Sequence, residues 1–341
     1  MSICDPDREV LDASLTWLRD GHRVVLFTVA RTWGSSPRPL GSLLVVRHDG
    51  RLVGSVSGGC VEEDLVERCQ AGEWLDAGVR GVAYGVDRAE ADRFGLPCGG
   101  RLELVAETLV DGSSLEPVTA ALDARRLTAR EVDLRTGMVR LQDAAHEDLF
   151  HYDPDLLRKV FGPKWRLVII GAGQLSRYVA EFARPLGYEV IVCDPRAEYT
   201  QGFDVEGVRL ESDMPDDVVR ALATDTRSAV LALTHDPRLD DMALMEALES
   251  PAFYVGAIGS MGNQGKRSRR LIELGVAKAR LGALHGPVGL PIGSKTPAEI
   301  AVAVVAELVA SRNGVRLQRC EPSVDAGVDA RWAVALSARG G

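Results

Sequence analysis

The chain has 341 residues, of which 46% are hydrophobic and 26% charged, the profile of a soluble globular protein long enough for two domains. Its formal net charge is −9 and no long basic tract occurs, which argues against nucleic-acid binding and against a membrane-surface role. The start, "MSICDPDREV", has no basic-then-apolar signal pattern, and the most apolar run, "AEIAVAVVAELVA" at 298–310, is too short for a bilayer and carries Glu299 and Glu307, so a cytoplasmic protein is expected.

In chain order, "DREVLDASLTWLRD" (7–20) places Val10, Leu11, Leu15 and Leu18 at helical spacing. "HRVVLFTVA" (22–30) reads as a buried strand, "RTWGSSPRPLG" as a loop, and "SLLVVRHDGRLVGSVS" as a hairpin turning at Asp49-Gly50. "CVEEDLVERCQAGEWL" predicts a helix with Val61, Leu65 and Val66 on its apolar face. The strand "GVAYGV", the loop "GLPCGG" and the strand "RLELVAETL" complete an α+β domain over residues 1–110.

Residues 111–163 read as a β-hairpin-containing segment, turning at Thr136-Gly137, followed by the connector "HEDLFHYDPDLLRKVFGPK". From Arg166 the pattern becomes strand, helix, strand: "RLVIIGAG", "QLSRYVAEFARPLG", "YEVIVCD", then apolar strands "SAVLALT" and "FYVGAI". Helical segments fall near 215–223, 238–249, 263–274 and 297–312. This rhythm predicts a Rossmann-like, doubly wound parallel sheet over 164–312, and the fold class is α/β. The tail, 313–341, has no clear period.

Cys4, Cys60, Cys69, Cys98, Cys193 and Cys320 are scattered, with no C-x-x-C pair, so thiols rather than a zinc site are expected. Two of them flank double glycines: Cys60 follows Gly58-Gly59 at a helix start, and Cys98 precedes Gly99-Gly100. Glycines admit close backbone approach, and a helix N-terminus favours a thiolate. The neighbouring Glu62, Glu63 and Asp64 oppose that charge. Taken alone, Cys60 reads as a small packed residue before it reads as a reactive thiol.

"VIIGAGQLSRYVA" carries Gly171 and Gly173 of a dinucleotide fingerprint, then Gln174 and Leu175, with Ser176 in the third place where glycine or alanine is usual. Asp194 ends the next strand, 23 residues after Gly171, where a carboxylate would accept ribose hydroxyls. It favours NAD over NADP, whereas Arg196 could meet a phosphate. The alternatives are a sheet whose crevice binds something other than a dinucleotide, and an Asp194 that serves only the turn before Pro195. Two more loops belong at strand ends: "THDPRLDD", with Thr234 and His235, and "GAIGSMGNQGKRSRR", with Gly259 and Ser260. Lys266 and Arg267 follow at a helix start and could support an anion, or could form a solvated basic face. His235 reads equally as a turn residue. "GSSPRP" offers Ser35, Ser36 and Arg38 as anion donors, or is a proline-stiffened loop.

These residues carry a resemblance. "GSSPRPLGSLLVV", "GSVSGGCVEEDLVE" and "GLPCGG" look like first-domain motifs of the XdhC/CoxI family of molybdenum-hydroxylase maturation factors. "VIIGAGQLSRYVAEFARPLGYEVIVCDPRAEY", "LTHDPRLDDMALMEAL", "YVGAIGSMGNQGKR" and "LHGPVGLPIGSKTPAEIAVAVVAEL" resemble its Rossmann-type second domain. The blocks run in the family's order over about residues 10–110 and 164–312. The resemblance implies a chaperone that binds and protects molybdenum cofactor, assists its sulfuration and inserts it into a xanthine dehydrogenase or carbon monoxide dehydrogenase type of hydroxylase.

The partners so implied are the apo hydroxylase, a cysteine desulfurase and the cofactor's biosynthetic proteins. The resemblance also puts the family's first-domain cysteine motif on Cys60, a candidate molybdenum contact, with Cys98 in the second loop. Lys266 and Arg267 could then hold the pterin phosphate, or the pyrophosphate of the dinucleotide form of molybdopterin. The rival reading is an NAD(P)-dependent oxidoreductase or a nucleotide-regulated cofactor-modifying enzyme. Tyr199 and His235 are the only local acid-base candidates it offers, and neither sits in a hydride-transfer motif. A homodimer is expected, two-fold dimers being the commonest assembly.

Overall fold

The computed structural model describes residues 5–33, 38–74, 76, 78–85, 101–145 and 150–315. They form two compact units that divide between Pro163 and Lys164.

In the N-terminal unit, helix α1 (Pro6–Arg19) starts at Asp5, whose carboxylate accepts the Asp7 amide at 3.0 Å. Strand β1 (Val24–Trp33) is central to an antiparallel sheet with β2 (Leu43–Arg47), β3 (Leu52–Gly54), β4 (Gly78–Tyr84) and β5 (Arg101–Leu109), ordered β3-β2-β1-β5-β4. The β1 sequence is apolar without alternation because both faces are covered. Val25, Phe27 and Val29 share a core with Val61 and Leu65 of helix α2 (Cys60–Gln70). Val24 and Leu26 share another with Val10 and Leu11 of α1 and with Val118 and Leu122 of helix α3 (Glu116–Asp123).

A second antiparallel sheet follows, of β6 (Thr128–Asp133), β7 (Val139–Asp143), β8 (His151–Tyr152) and β9 (Leu156–Phe161), ordered β7-β6-β9-β8. The hairpin at Thr136-Gly137 is β6–β7, with Val132 opposite Val139. The expected connector departs from its reading. Its "LLRKVF" pairs with β6 along six residues and buries Leu157 and Phe161. Arg158 and Lys159 hide this in the sequence, and each has an acidic partner, Glu131 at 3.2 Å and Asp7 at 2.8 Å.

Glu107 of β5 and Arg130 of β6 form a bidentate ion pair at 3.0 and 2.8 Å, both side chains being 5% exposed or less. Removing one partner strands the other charge, so Glu107→Ala should cost the unit about 3–5 kcal/mol in urea unfolding. The double change Glu107→Leu, Arg130→Met should cost much less; equal losses would show that the pair's charge is irrelevant.

The C-terminal unit is a six-stranded parallel sheet, ordered β12-β11-β10-β13-β14-β15. Its strands are β10 (Trp165–Ile170), β11 (Tyr188–Cys193), β12 (Arg209–Glu211), β13 (Ser228–Ala232), β14 (Tyr254–Ala257) and β15 (Leu284–His285). Helices α4 (Gln174–Ala183) and α9 (Pro297–Arg312) pack with Leu167, Ile169 and Leu231 on one face. Helices α6 (Pro215–Leu222), α7 (Pro237–Glu249) and α8 (Met261–Glu273) pack with Val168, Ile170 and Val230 on the other. A short α5 (Ala197–Thr200) follows β11. The chain runs outward from β10 in one direction and from β13 in the other, so the strand order reverses between them, where such sheets bind ligands.

Candidate functional site

In the N-terminal unit the loop "SVSGG" delivers the chain from β3 into α2, and Cys60 is the first residue of that helix, with an exposed thiol. The loop is held from inside the helix. Glu62 Oε1 accepts the Ser55 hydroxyl at 2.7 Å and the amides of Val56, Ser57 and Gly58 at 2.9, 2.8 and 2.8 Å. Its Oε2 accepts the Gly59 amide at 2.9 Å and the Ser57 hydroxyl. Burial alone would push this carboxyl up, but the converging hydroxyl and amide donors win and lower it to about 2. The acidic run therefore has a structural assignment: Glu62 closes the loop, and Asp64 accepts the Tyr84 hydroxyl at 2.7 Å.

Gly58 has φ +88, a backbone conformation glycine adopts without strain, and added Cβ atoms at Gly58 and Gly59 would meet nothing within 4 Å among the described residues. The double glycine thus fronts open space on the side where side chains would stand. Arg38 donates from Nε to the Ser55 hydroxyl at 3.2 Å, which joins it to the same loop. Arg38 is thereby tied to the start of the loop that leads to Gly58, Gly59 and Cys60. Ser35 and Cys98 lie outside the described residues.

In the C-terminal unit three loops leave the carboxyl ends of β10, β13 and β14. Gly171 has φ +105, and a Cβ there would stand 2.9 Å from Thr234 Cγ2, so glycine is what lets the first two loops touch. A Cβ added at Gly173, at the N-terminus of α4, would meet nothing within 4 Å among the described residues. Gln174 is exposed, Leu175 half-buried, and Ser176 fully buried in the tight helix–sheet contact its position demands.

Asp194 follows β11 directly. Its side chain has 0% exposure, and both oxygens are engaged. Oδ2 accepts the Ala172 amide at 2.9 Å and Arg196 Nη2 at 2.8 Å; Oδ1 accepts Arg196 Nε at 2.8 Å and the Arg196 amide at 3.1 Å. Burial pushes its carboxyl up, yet these donors more than offset that and hold it below the usual carboxylate range. It is a carboxylate turned inward on the glycine turn, not one presented to a ribose. Arg196 lies over the Tyr199 ring, 3.9 Å from the centroid, and interacts electrostatically with Asp236.

Thr234 donates its hydroxyl to Asp240 Oδ1 at 2.7 Å, and its amide reaches the same oxygen at 3.1 Å. Asp240 Oδ2 stands 3.6 Å from Arg267 Nη2, which donates to the Ile258 carbonyl at 2.8 Å. Burial pushes the Asp240 carboxyl up and the Arg267 guanidinium down. Arg267 is therefore a buried tie between loops; Lys266 beside it is exposed. His235 is exposed with φ +64, a strained value for a non-glycine residue. Gly259, φ +148, precedes Ser260, whose hydroxyl caps α8 by accepting the Asn263 amide at 3.3 Å. Sequence reasoning missed Glu62 and Asp240 as organisers. A glutamate at the third helical position after a double glycine was the available signal for the first; nothing comparable marked the second.

Comparison with known proteins adds lineage to this geometry. Residues 17–85 match the family described as XdhC and CoxI, and residues 167–308 match the XdhC Rossmann domain. The chain is 29% identical over 322 residues to the molybdenum cofactor insertion chaperone PaoD of Escherichia coli, covering 94% of this chain and 93% of that protein. It is 27% identical over 326 residues to a probable xanthine dehydrogenase subunit of Bacillus subtilis, covering 87% and 96%. A crystal structure of a xanthine dehydrogenase from Bacillus halodurans superposes with a TM-score of 0.69 at 26% identity, over 92% of this chain and 98% of that one. Among the described residues, no helix is long and apolar enough to cross a membrane.

Proposed function

Because the chain belongs to the XdhC and CoxI family, whose relatives point to a maturation role, we propose that it is a molybdenum cofactor chaperone for a molybdenum hydroxylase. It holds the cofactor as cargo, assists its sulfuration with a cysteine desulfurase, and passes it to an apo hydroxylase of the xanthine dehydrogenase or carbon monoxide dehydrogenase type. It works in the cytoplasm, as a homodimer. The observation that carries this reading is the exposed Cys60 on a loop locked by Glu62 beside two glycines with open space in front of them.

A thiolate is a soft donor suited to molybdenum or its sulfur ligand, and glycine backbone admits a bulky pterin. In the C-terminal unit, Gly173 at the start of α4, with Ser260 capping α8 and Lys266 in its second turn, offers hydrogen-bond donors and positive charge to a phosphate. The oxidoreductase alternative loses support from Asp194, whose oxygens are spent on Arg196 and the glycine turn.

The test is direct. Protein purified from a host that makes the cofactor, then denatured under oxidising conditions, should release a fluorescent pterin at near one per chain. Bound NAD(P) in its place, reduced on adding an alcohol or hydroxy acid, would overturn the reading in favour of a dehydrogenase.

A further inference from the structure

Resting on the reading that the C-terminal crevice holds the phosphate end of a cofactor, we propose that Arg196 determines its specificity: the crevice takes a ligand ending in a phosphomonoester and disfavours the bare adenosine ribose of NAD. Selection of that ribose in such sheets comes from a carboxylate with free oxygens at the end of the second strand. Asp194 occupies the place without the means. It has no exposed surface, and four donors from Ala172 and Arg196 fill its two oxygens. Accepting a diol would require it to release both the glycine turn and a guanidinium.

Arg196 is what the second strand end presents outward. Its Nε and Nη2 grip Asp194, which leaves Nη1 outside that fork, and a quarter of its side chain is exposed. The Tyr199 ring supports its flat face. A guanidinium fixed on one edge and one face loses little freedom when it binds an anion. Its placement also matters. A single carboxylate oxygen, Asp194 Oδ2, accepts from both Arg196 Nη2 and the Ala172 amide, so the guanidinium lies beside the glycine turn. Gly173, next in that turn and at a helix N-terminus, would have no described atom within 4 Å of an added Cβ. An anion lodged there meets helix amides and the Arg196 guanidinium together, and a dianionic monoester gains more from this than a neutral diol.

Two sources share this chemistry: the terminal phosphate of a pterin and the 2′-phosphate of a nucleotide. Calorimetric titration of the full chain with NAD⁺, NADP⁺, 6-hydroxymethylpterin and its phosphate monoester separates them. The phosphorylated member of at least one pair should bind about tenfold tighter or more, and Arg196→Met should bring that ratio to about one. A preference in the pterin pair assigns the cofactor's own phosphate, and one in the dinucleotide pair assigns a nucleotide. Arg196→Lys keeps charge without the fork and should retain part of the preference. If the Met variant does not fold, the Lys variant decides, and an undiminished ratio there overturns the proposal. Equal affinities in both pairs, tighter binding of NAD⁺, no measurable binding of any probe, or a preference that survives in Arg196→Met would each overturn it. Pterin release on denaturation is a separate readout: pterin present without phosphate preference removes this inference alone, and pterin absent removes the chaperone reading.

Discussion

Replacing Cys60 by serine should leave the chain folded and lower maturation of its target hydroxylase by about two orders of magnitude. The change keeps the size of the side chain but swaps a soft, ionisable donor for a hard hydroxyl. The thiol is exposed and lies on the surface of α2, so little packing is lost. The described alternatives cannot replace it. Cys69 and Cys193 are buried in their cores, and burial pushes both thiols up to about 12, where they stay protonated. Hydroxylase activity in a strain that depends on this factor is the measurement, with Cys69→Ser as the comparison expected to retain function. Full maturation by the serine variant would strip the thiol of its role.

Glu62→Gln should cost the N-terminal unit about 3 kcal/mol at neutral pH and free the cysteine loop. Glutamine retains one acceptor, but its amide nitrogen is a donor set among donors, and the charge that draws them is gone. The effect is also visible in pH. The carboxyl drops from an ordinary value of 4.5 in the unfolded chain to about 2 in the folded one. Its contribution is therefore complete above about pH 5 and fades as pH falls toward 2, a loss on the order of 3 kcal/mol that the glutamine variant lacks. Melting curves between pH 7 and pH 3 should thus converge for the two proteins. Hydrogen exchange at the amides of residues 56–59 should rise in the variant near neutrality. Parallel melting curves would mean that the carboxylate is not what holds the loop.

The pattern of apolar residues foretold most of the fold because burial dictates it. Strand β10 and helix α4 are marked by an apolar run, a glycine turn and an amphipathic period, and all three are local. Strand β9 was illegible because its stabilising partners, Glu131 and Asp7, are far away in sequence, so Arg158 and Lys159 look like solvent-facing charge. The same limit separates the candidate residues of the N-terminal unit from those of the C-terminal unit. Gly58, Gly59 and Cys60 could be read together since they are contiguous. Whether Asp194 points outward or inward depends on the Ala172 amide, 22 residues back along the chain, and no spacing rule states it. For Arg267 the sequence offers only an anion ligand or a solvated charge for a similar reason, since only the fold brings Asp240 to it.

Thr234 hangs from Asp240, and the carbonyl of Ile258 is gripped by Arg267, so the rims beyond β13 and β14 share a single fastening. The glycine turn beyond β10 has its own, through Asp194. Three rims therefore stand on two anchors, each a buried carboxylate, and the rims beyond β10 and β13 touch where Gly171 meets Thr234, so a guest at this edge bears on both anchors at once.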